Sequence, residues 1–118
     1  MESEGAGTVS TTLNLEELSA VNDELAALVR AGVPLEKTLG HVGRDLPGRL
    51  GRATRQLAEH LDRGESLSQA LDAMPTAFPP MYRTAVEAGV RAGRLPVVLE
   101  DLSQAAIKLA DLHKFVVV

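Results

Sequence analysis

Residues 25–35, Leu25-Ala26-Ala27-Leu28-Val29-Arg30-Ala31-Gly32-Val33-Pro34-Leu35, contain the end of one helix and the start of the next. Leu25, Leu28 and Val29 extend a stripe begun by Leu18 and Val21, recurring at the three- and four-residue steps of one helical face. Gly32 stands where a left-handed residue closes a helix. Pro34 stands where another opens, because the first helical position needs no N–H. Upstream, Asn14 followed by Glu17 makes a capping box, so the first helix is predicted to start there and stop at Gly32.

The same punctuation recurs down the chain. Leu35, Leu39 and Val42 stripe a short second helix that fades between Gly43 and Pro47. A third is predicted from about Gly48 to Arg63, with Leu50, Thr54, Leu57 and Leu61 on one side and Gly64 as its stop. Ser66 and Gln69 form a second capping box opening a fourth helix with Leu67, Ala70, Leu71 and Met74. The turn Met74-Pro75-Thr76-Ala77-Phe78-Pro79-Pro80 launches a fifth, through Tyr82, Ala85, Val86 and Gly89 to Gly93. Pro96 opens a sixth, striped by Leu95, Val98, Leu99, Leu102, Ala106, Leu109 and Val116. No segment alternates with period two over a useful length. The expectation is an all-α fold, a compact antiparallel bundle of about six helices with short connections. Residues 1–13, with Gly5, Gly7 and a Ser/Thr cluster, read as a flexible leader, residues 14–114 as the helical domain, and the apolar 115–118 as the approach to a membrane-proximal segment.

Composition narrows the function. The 118 residues suit one domain, and 45% hydrophobic with 24% charged residues is ordinary for a folded chain. Only Phe78, Tyr82 and Phe115 are aromatic, which argues against a stacking platform for bases or a sugar cleft. With no cysteine, disulfides, thiolate metal sites and cysteine nucleophiles are excluded. A net charge of −4 disfavours general phosphate-backbone binding, so no nucleic-acid partner is expected. The first residues lack the basic and apolar regions of a secretory signal.

Convergent chemistry is missing from the pattern. His41, His60 and His113 fall on three different predicted helices, none with a second ligand at metal-binding spacing. His60 reads as a solvated surface residue and His113 as a packing residue in the sixth stripe. The Gly-x-x-Gly spacings at Gly40–Gly43 and Gly48–Gly51 lack the Lys-Ser/Thr ending and preceding strand of a phosphate loop. Glu16 and Glu17 suit the positive end of the first helix dipole. Glu100 and Asp101 point about 100° apart and do not share one ion easily. No catalytic residue, cofactor or metal site is expected, and the chain is not expected to be an enzyme.

The most organised polar feature is Arg52, Arg55, Gln56, Glu59 and Arg63, on the third helix opposite its leucines. Glu59 stands at i±4 spacing to Arg55 and Arg63, where exposed pairs are worth about 0.3–0.5 kcal/mol each. The face reads either as solvated surface or as a docking surface for an acidic partner, with Arg44 and Arg49 adding charge near the helix start.

Four motifs in order carry a resemblance: Leu25 through Leu35 as quoted; Arg63-Gly64-Glu65-Ser66-Leu67-Ser68-Gln69-Ala70-Leu71; Phe78-Pro79-Pro80; and Val86-Glu87-Ala88-Gly89-Val90-Arg91-Ala92-Gly93-Arg94-Leu95. Over about residues 15–115 the chain resembles the first cytoplasmic domain of the type II secretion system F family, inner-membrane platform proteins of secretion and type IV pilus machines. Physically the motifs are architectural. Gly32, Pro34, Leu35, Gly64, Ser66 and Leu67 mark stops and starts, Phe78 and Pro79 a turn, and Leu95 a helix opening. Gly89 and Gly93 clear one face of the fifth helix for close approach. The family typically places a glutamate after the first glycine of that last motif. Val90 stands there instead, so polar contacts or ion binding assigned to that glutamate do not transfer.

The resemblance implies a non-enzymatic domain that scaffolds the machine and couples a cytoplasmic assembly ATPase to pilin or pseudopilin polymerisation. It also implies other inner-membrane platform proteins as partners, a full-length protein held in the membrane, and a position on the cytoplasmic face. Homo-oligomers are implied as well. With Phe115 on the polar side of the sixth helix, a weak dimer involving Leu112 and Phe115 is expected. A free-standing helical adaptor is the alternative. A DNA-binding domain using the third-helix arginines is the weakest binding reading.

Overall fold

The computed structural model describes the backbone of residues 12–117 and the side chains of residues 12–106 and Lys108. Six helices follow in order: α1 Leu15–Ala31, α2 Leu35–Asp45, α3 Gly48–Asp62, α4 Leu67–Asp72, α5 Pro80–Ala92 and α6 Leu95–Val117. There is no strand among the described residues, and the all-α bundle read from the sequence is the fold. The side chains of Leu112, His113 and Phe115, with the expectations attached to them, and the segment 1–11 lie outside what the structure describes.

Both capping boxes form. Asn14 Oδ1 accepts from Glu17 N–H at 2.8 Å while Glu17 Oε1 accepts from Asn14 N–H at 2.9 Å. Ser66 and Gln69 do the same at the start of α4. Three helix ends share one device, in which a glycine with positive φ turns the chain back onto the last turn. Gly32, Gly64 and Gly93 adopt φ of 71°, 91° and 69°. The next residue in each case donates its N–H to an orphan carbonyl, Val33 to Leu28, Glu65 to His60 and Arg94 to Gly89. The helices are thereby cut to lengths that can fold back on one another.

Each helix, and the turn before α5, contributes one large side chain sealed from solvent: Leu25, Leu39, Leu57, Leu71, Phe78, Val86 and Leu99. The α2–α3 hairpin, joined through Leu46 and Pro47, makes the most extensive helix pair. Helix α6 lies along α1 and α5, and α4 bridges α3 to α5. Phe78 stacks on Tyr82 with ring centroids 5.8 Å apart.

A polar network threads this core. Asn22, buried within α1, donates to Leu99 O and Ser103 Oγ, both at 2.9 Å, and accepts from the Tyr82 hydroxyl at 2.8 Å. Ser103 in turn donates to Asp23 at 2.6 Å. Burial, with the Asp23 charge second, pushes the Tyr82 phenol above its ordinary range, so it stays a neutral donor. The network ties α1, α5 and α6 together at a fixed register, since a one-turn slip of α6 would leave Asn22 unsatisfied. Tyr82→Phe is expected to cost roughly 1–3 kcal/mol, because it leaves a buried carbonyl oxygen of Asn22 unpaired; a urea melt measures it.

Two expectations need correction here. Leu13 was expected in the leader, yet it is buried and donates its N–H to Ala77 O at 3.2 Å, so the folded domain begins by Thr12, whose hydroxyl bonds Thr76 O. His60 was expected to be solvated, yet it is half-buried with Nδ1 3.1 Å from Glu65, because the Gly64 turn folds Glu65 back over α3.

Glu17 carries a pH consequence. The Asn14 backbone N–H holds its carboxyl below the ordinary 4.5; desolvation, the second influence, works against this, and Arg49 adds to the lowering through its hydrogen bond and its charge. A carboxylate depressed in the folded state stabilises it above the unfolded value and loses that contribution as pH falls through the folded one. Glu17→Gln is therefore expected to lower stability at pH 7 and to flatten its decline below about pH 4.5. Thermal melts at pH 3 and 7 check this.

Candidate functional site

The α2–α3 hairpin owes its closeness to two glycines. A Cβ on Gly43 would stand 2.7 Å from Arg55 Cγ and 3.0 Å from the Arg55 backbone nitrogen. One on Gly51 would stand 2.0 Å from Leu46 O. Arg55 uses the space: its side chain crosses Gly43 and donates from Nη1 to Gly43 O at 2.7 Å.

That geometry separates the five residues read as a polar face. Arg52, Gln56, Glu59 and Arg63 are exposed, whereas Arg55 is half-buried and occupied with α2. Neither expected i±4 pair with Glu59 forms. Arg55 reaches back to Gly43, and Arg63 turns to His60 and Glu65, with Nη1 3.2 Å from His60 Nδ1 and 3.9 Å from Glu65 Oε2. Arg49, expected to add charge to this face, is held by Glu17 on α1 at 2.8 Å. Arg44 contacts His41, one turn back on α2. Arg52 and Glu59 have no ion-pair partner among the described residues.

Beside this face runs an open groove of about 470 Å³ between α2 and α3. It is open along its floor because Gly40 and Ala58, which face each other there, carry no side chain beyond Cβ; a Cβ on Gly40 would lie 4.0 Å from that of Ala58. Charged side chains line its sides. A second groove, of about 390 Å³ and apolar, lies where α1, α5 and α6 meet, beside Leu15, Leu18 and the exposed Met81.

The α5–α6 turn assigns different work to the two glycines of its motif. Gly89 makes the close approach, since a Cβ there would stand 2.9 Å from Val98 Cγ2. Gly93 does not, as nothing lies within 4 Å of its Cβ position; its positive φ makes it the stop of α5. Val90 is 38% exposed at the end of α5 and offers no ligand atom. No group of three or more acidic or histidine side chains able to hold a metal occurs among the described residues.

The described residues form a small helical bundle with a charged and an apolar groove on its outside and capped turns between short helices. The family described as Type II secretion system (T2SS), protein F matches residues 23–114, and the chain belongs to that family. It is 35% identical over 100 residues to Type II secretion system protein F of Pseudomonas aeruginosa, covering 84% of this chain and 25% of the relative. The protein F of Vibrio cholerae is 30% identical over 95 residues, covering 80% and 23%. A protein transport protein HofC homolog of Escherichia coli is 31% identical over 90 residues, covering 75% and 22%. The chain thus spans about a quarter of the length of these relatives. No described helix is long and apolar enough to cross a membrane.

Proposed function

We propose that this chain is a non-enzymatic cytoplasmic docking domain of an inner-membrane platform protein. In this role it receives a secretion or pilus assembly ATPase and passes its motion to pilin or pseudopilin polymerisation. The observation that carries the reading is the hairpin itself. Arg55, Gly43 and Gly51 fix α2 against α3, and the rigid pair offers charged side chains outward with no ion-pair partners, Arg52 and Glu59 among them. A rigid unit can transmit a displacement that a loose helix would absorb. The docking face is then Arg52, Gln56, Glu59 and Arg63, with Arg55 as its internal brace. The Gly32, Gly64 and Gly93 turns, with the close helix approach at Gly89, hold the frame in which that face sits.

The same reading places the domain on the cytoplasmic side of the inner membrane beside other platform proteins, and gives it a weak dimer through α6. Sedimentation equilibrium at high concentration tests the dimer, and a strictly monomeric chain would remove it. A free-standing adaptor is the competing reading.

The test is titration of the chain with the assembly ATPase encoded in the same genome. Micromolar binding that Arg52→Glu/Arg63→Glu weakens at least tenfold supports docking through this face. Binding untouched by that variant keeps the partner and moves the face elsewhere, and no binding rejects the reading. Arg55 is unsuitable for this comparison. Arg55→Glu removes the donor to Gly43 O and sets a carboxylate against it, an expected loss of about 2 kcal/mol, whereas Arg52→Glu should stay within about 0.5 kcal/mol. Urea melts of the two variants separate brace from face.

A further inference from the structure

The groove between α2 and α3 is electrically polarised. Because the two helices run antiparallel with Gly43 against Arg55 and Gly40 against Ala58, the start of α2 meets the end of α3. Glu36, Glu59 and Asp62 therefore gather toward one end of the groove with Lys37 as the single cation, while Arg44 and Arg55 flank the other. Arg52 continues the basic end one turn further along α3. Asp45 is on α2 but does not line the groove. Among the described residues none of these side chains is in an ion pair; Arg44 hydrogen-bonds His41, and Arg55 donates to Gly43 O.

We infer that this groove docks a helix of the partner protein whose charges run in the opposite order, carboxylates over Arg44 and Arg52 and cationic groups over Glu36 and Asp62. Glu36 and Arg44 are eight residues apart on α2, about 12 Å along its axis. The partner helix must then carry its two charge groups about eight residues apart, roughly two turns. Small side chains should lie between them, to settle over Gly40 and Ala58. Complementary ends fix the direction in which the helix lies, because reversing it would set like charges together at both ends. A directed contact of this kind gives the platform one productive orientation for the ATPase. The inference rests on the platform reading above.

Gly40 supplies a clean probe. It lies in a helix with an ordinary backbone, and its Cβ would make only an ordinary 4.0 Å contact with Ala58, so Gly40→Gln fills the groove without straining the fold and is expected to melt at or above the temperature of the unmodified chain. Titration with the same ATPase compares Gly40→Gln, Arg44→Glu/Arg52→Glu and Glu36→Lys/Asp62→Lys, each checked by sedimentation of the chain alone. The expected result is binding weakened tenfold or more in all three, with unchanged self-association. Binding by the unmodified chain that all three variants retain within twofold would overturn the groove and leave the platform reading standing. Failure of the unmodified chain to bind would overturn both. If the charge variants instead change the chain's own oligomeric state, the occupant is a second copy and the inference fails.

Discussion

Gly51→Ala is expected to unfold the hairpin, with a loss of about 3 kcal/mol or more. Mid-helix, this substitution usually stabilises by roughly 0.5–1 kcal/mol, because alanine loses less conformational freedom on folding. At Gly51 the sign reverses. The new Cβ would sit 2.0 Å from Leu46 O and 2.8 Å from Leu46 C, and a backbone carbonyl cannot swing aside as a flexible side chain can. Relief requires opening the Leu46-Pro47 turn, which separates Gly43 from Arg55 and breaks the bond to Gly43 O. Overpacking of this kind typically costs about 1–3 kcal/mol and more when backbone is hit. Gly40→Ala, one hairpin layer away with only an ordinary 4.0 Å contact from its Cβ to Ala58, is expected to stabilise by about 0.5–1 kcal/mol. Paired urea melts of the two alanine variants should diverge in opposite directions from the unmodified protein.

The second large effect is expected at Phe78. Its side chain is sealed from solvent in the turn before α5 and stacks on Tyr82. Phe78→Ala is expected to cost about 3–5 kcal/mol, the range for an aromatic removed from a core that cannot collapse. Collapse is resisted here because Pro79 and Pro80 fix the chain that follows, and Phe78 N–H and Ala77 N–H are both held by Met74 O. The loss reaches beyond packing, since Tyr82 orients the buried Asn22. Against a total stability of about 5–15 kcal/mol for a domain of this kind, such a change removes a large share. Chemical denaturation measures it, and Phe78→Leu should recover most of the loss by restoring volume.

What the sequence disclosed follows the range of each interaction. Capping boxes and glycine stops are contacts within five residues, so Asn14, Glu17, Gly32, Ser66 and Gln69 could be read without knowledge of the fold. The arginine face was legible only as a face. Arg52, Gln56 and Glu59 point outward as helical periodicity requires, but Arg49 is neutralised by Glu17 across to another helix, and Arg55 turns inward because Gly43 leaves room on α2. Neither partner shares a helix with its arginine, and periodicity within one helix carries no such information. Asn22 was hidden for the same reason. A polar residue beside an apolar stripe reads as a margin until Tyr82, Leu99 and Ser103 arrive from 60 to 81 residues away. Gly89 and Gly93 illustrate the limit on motifs, since identical residues four apart do different work, one admitting Val98 and the other reversing the chain.

The central claim, that this hairpin is where the platform receives its ATPase, is tested most directly by crosslinking in living cells. A photoreactive residue replacing Gln56, exposed on α3 beside the groove, would be introduced into the full-length protein and irradiated with the machine active. The account predicts a covalent adduct with the assembly ATPase that disappears when Gly40→Gln is added. An ATPase adduct absent from Gln56 and from Arg52 alike, while the full-length protein still supports secretion or piliation, would contradict it.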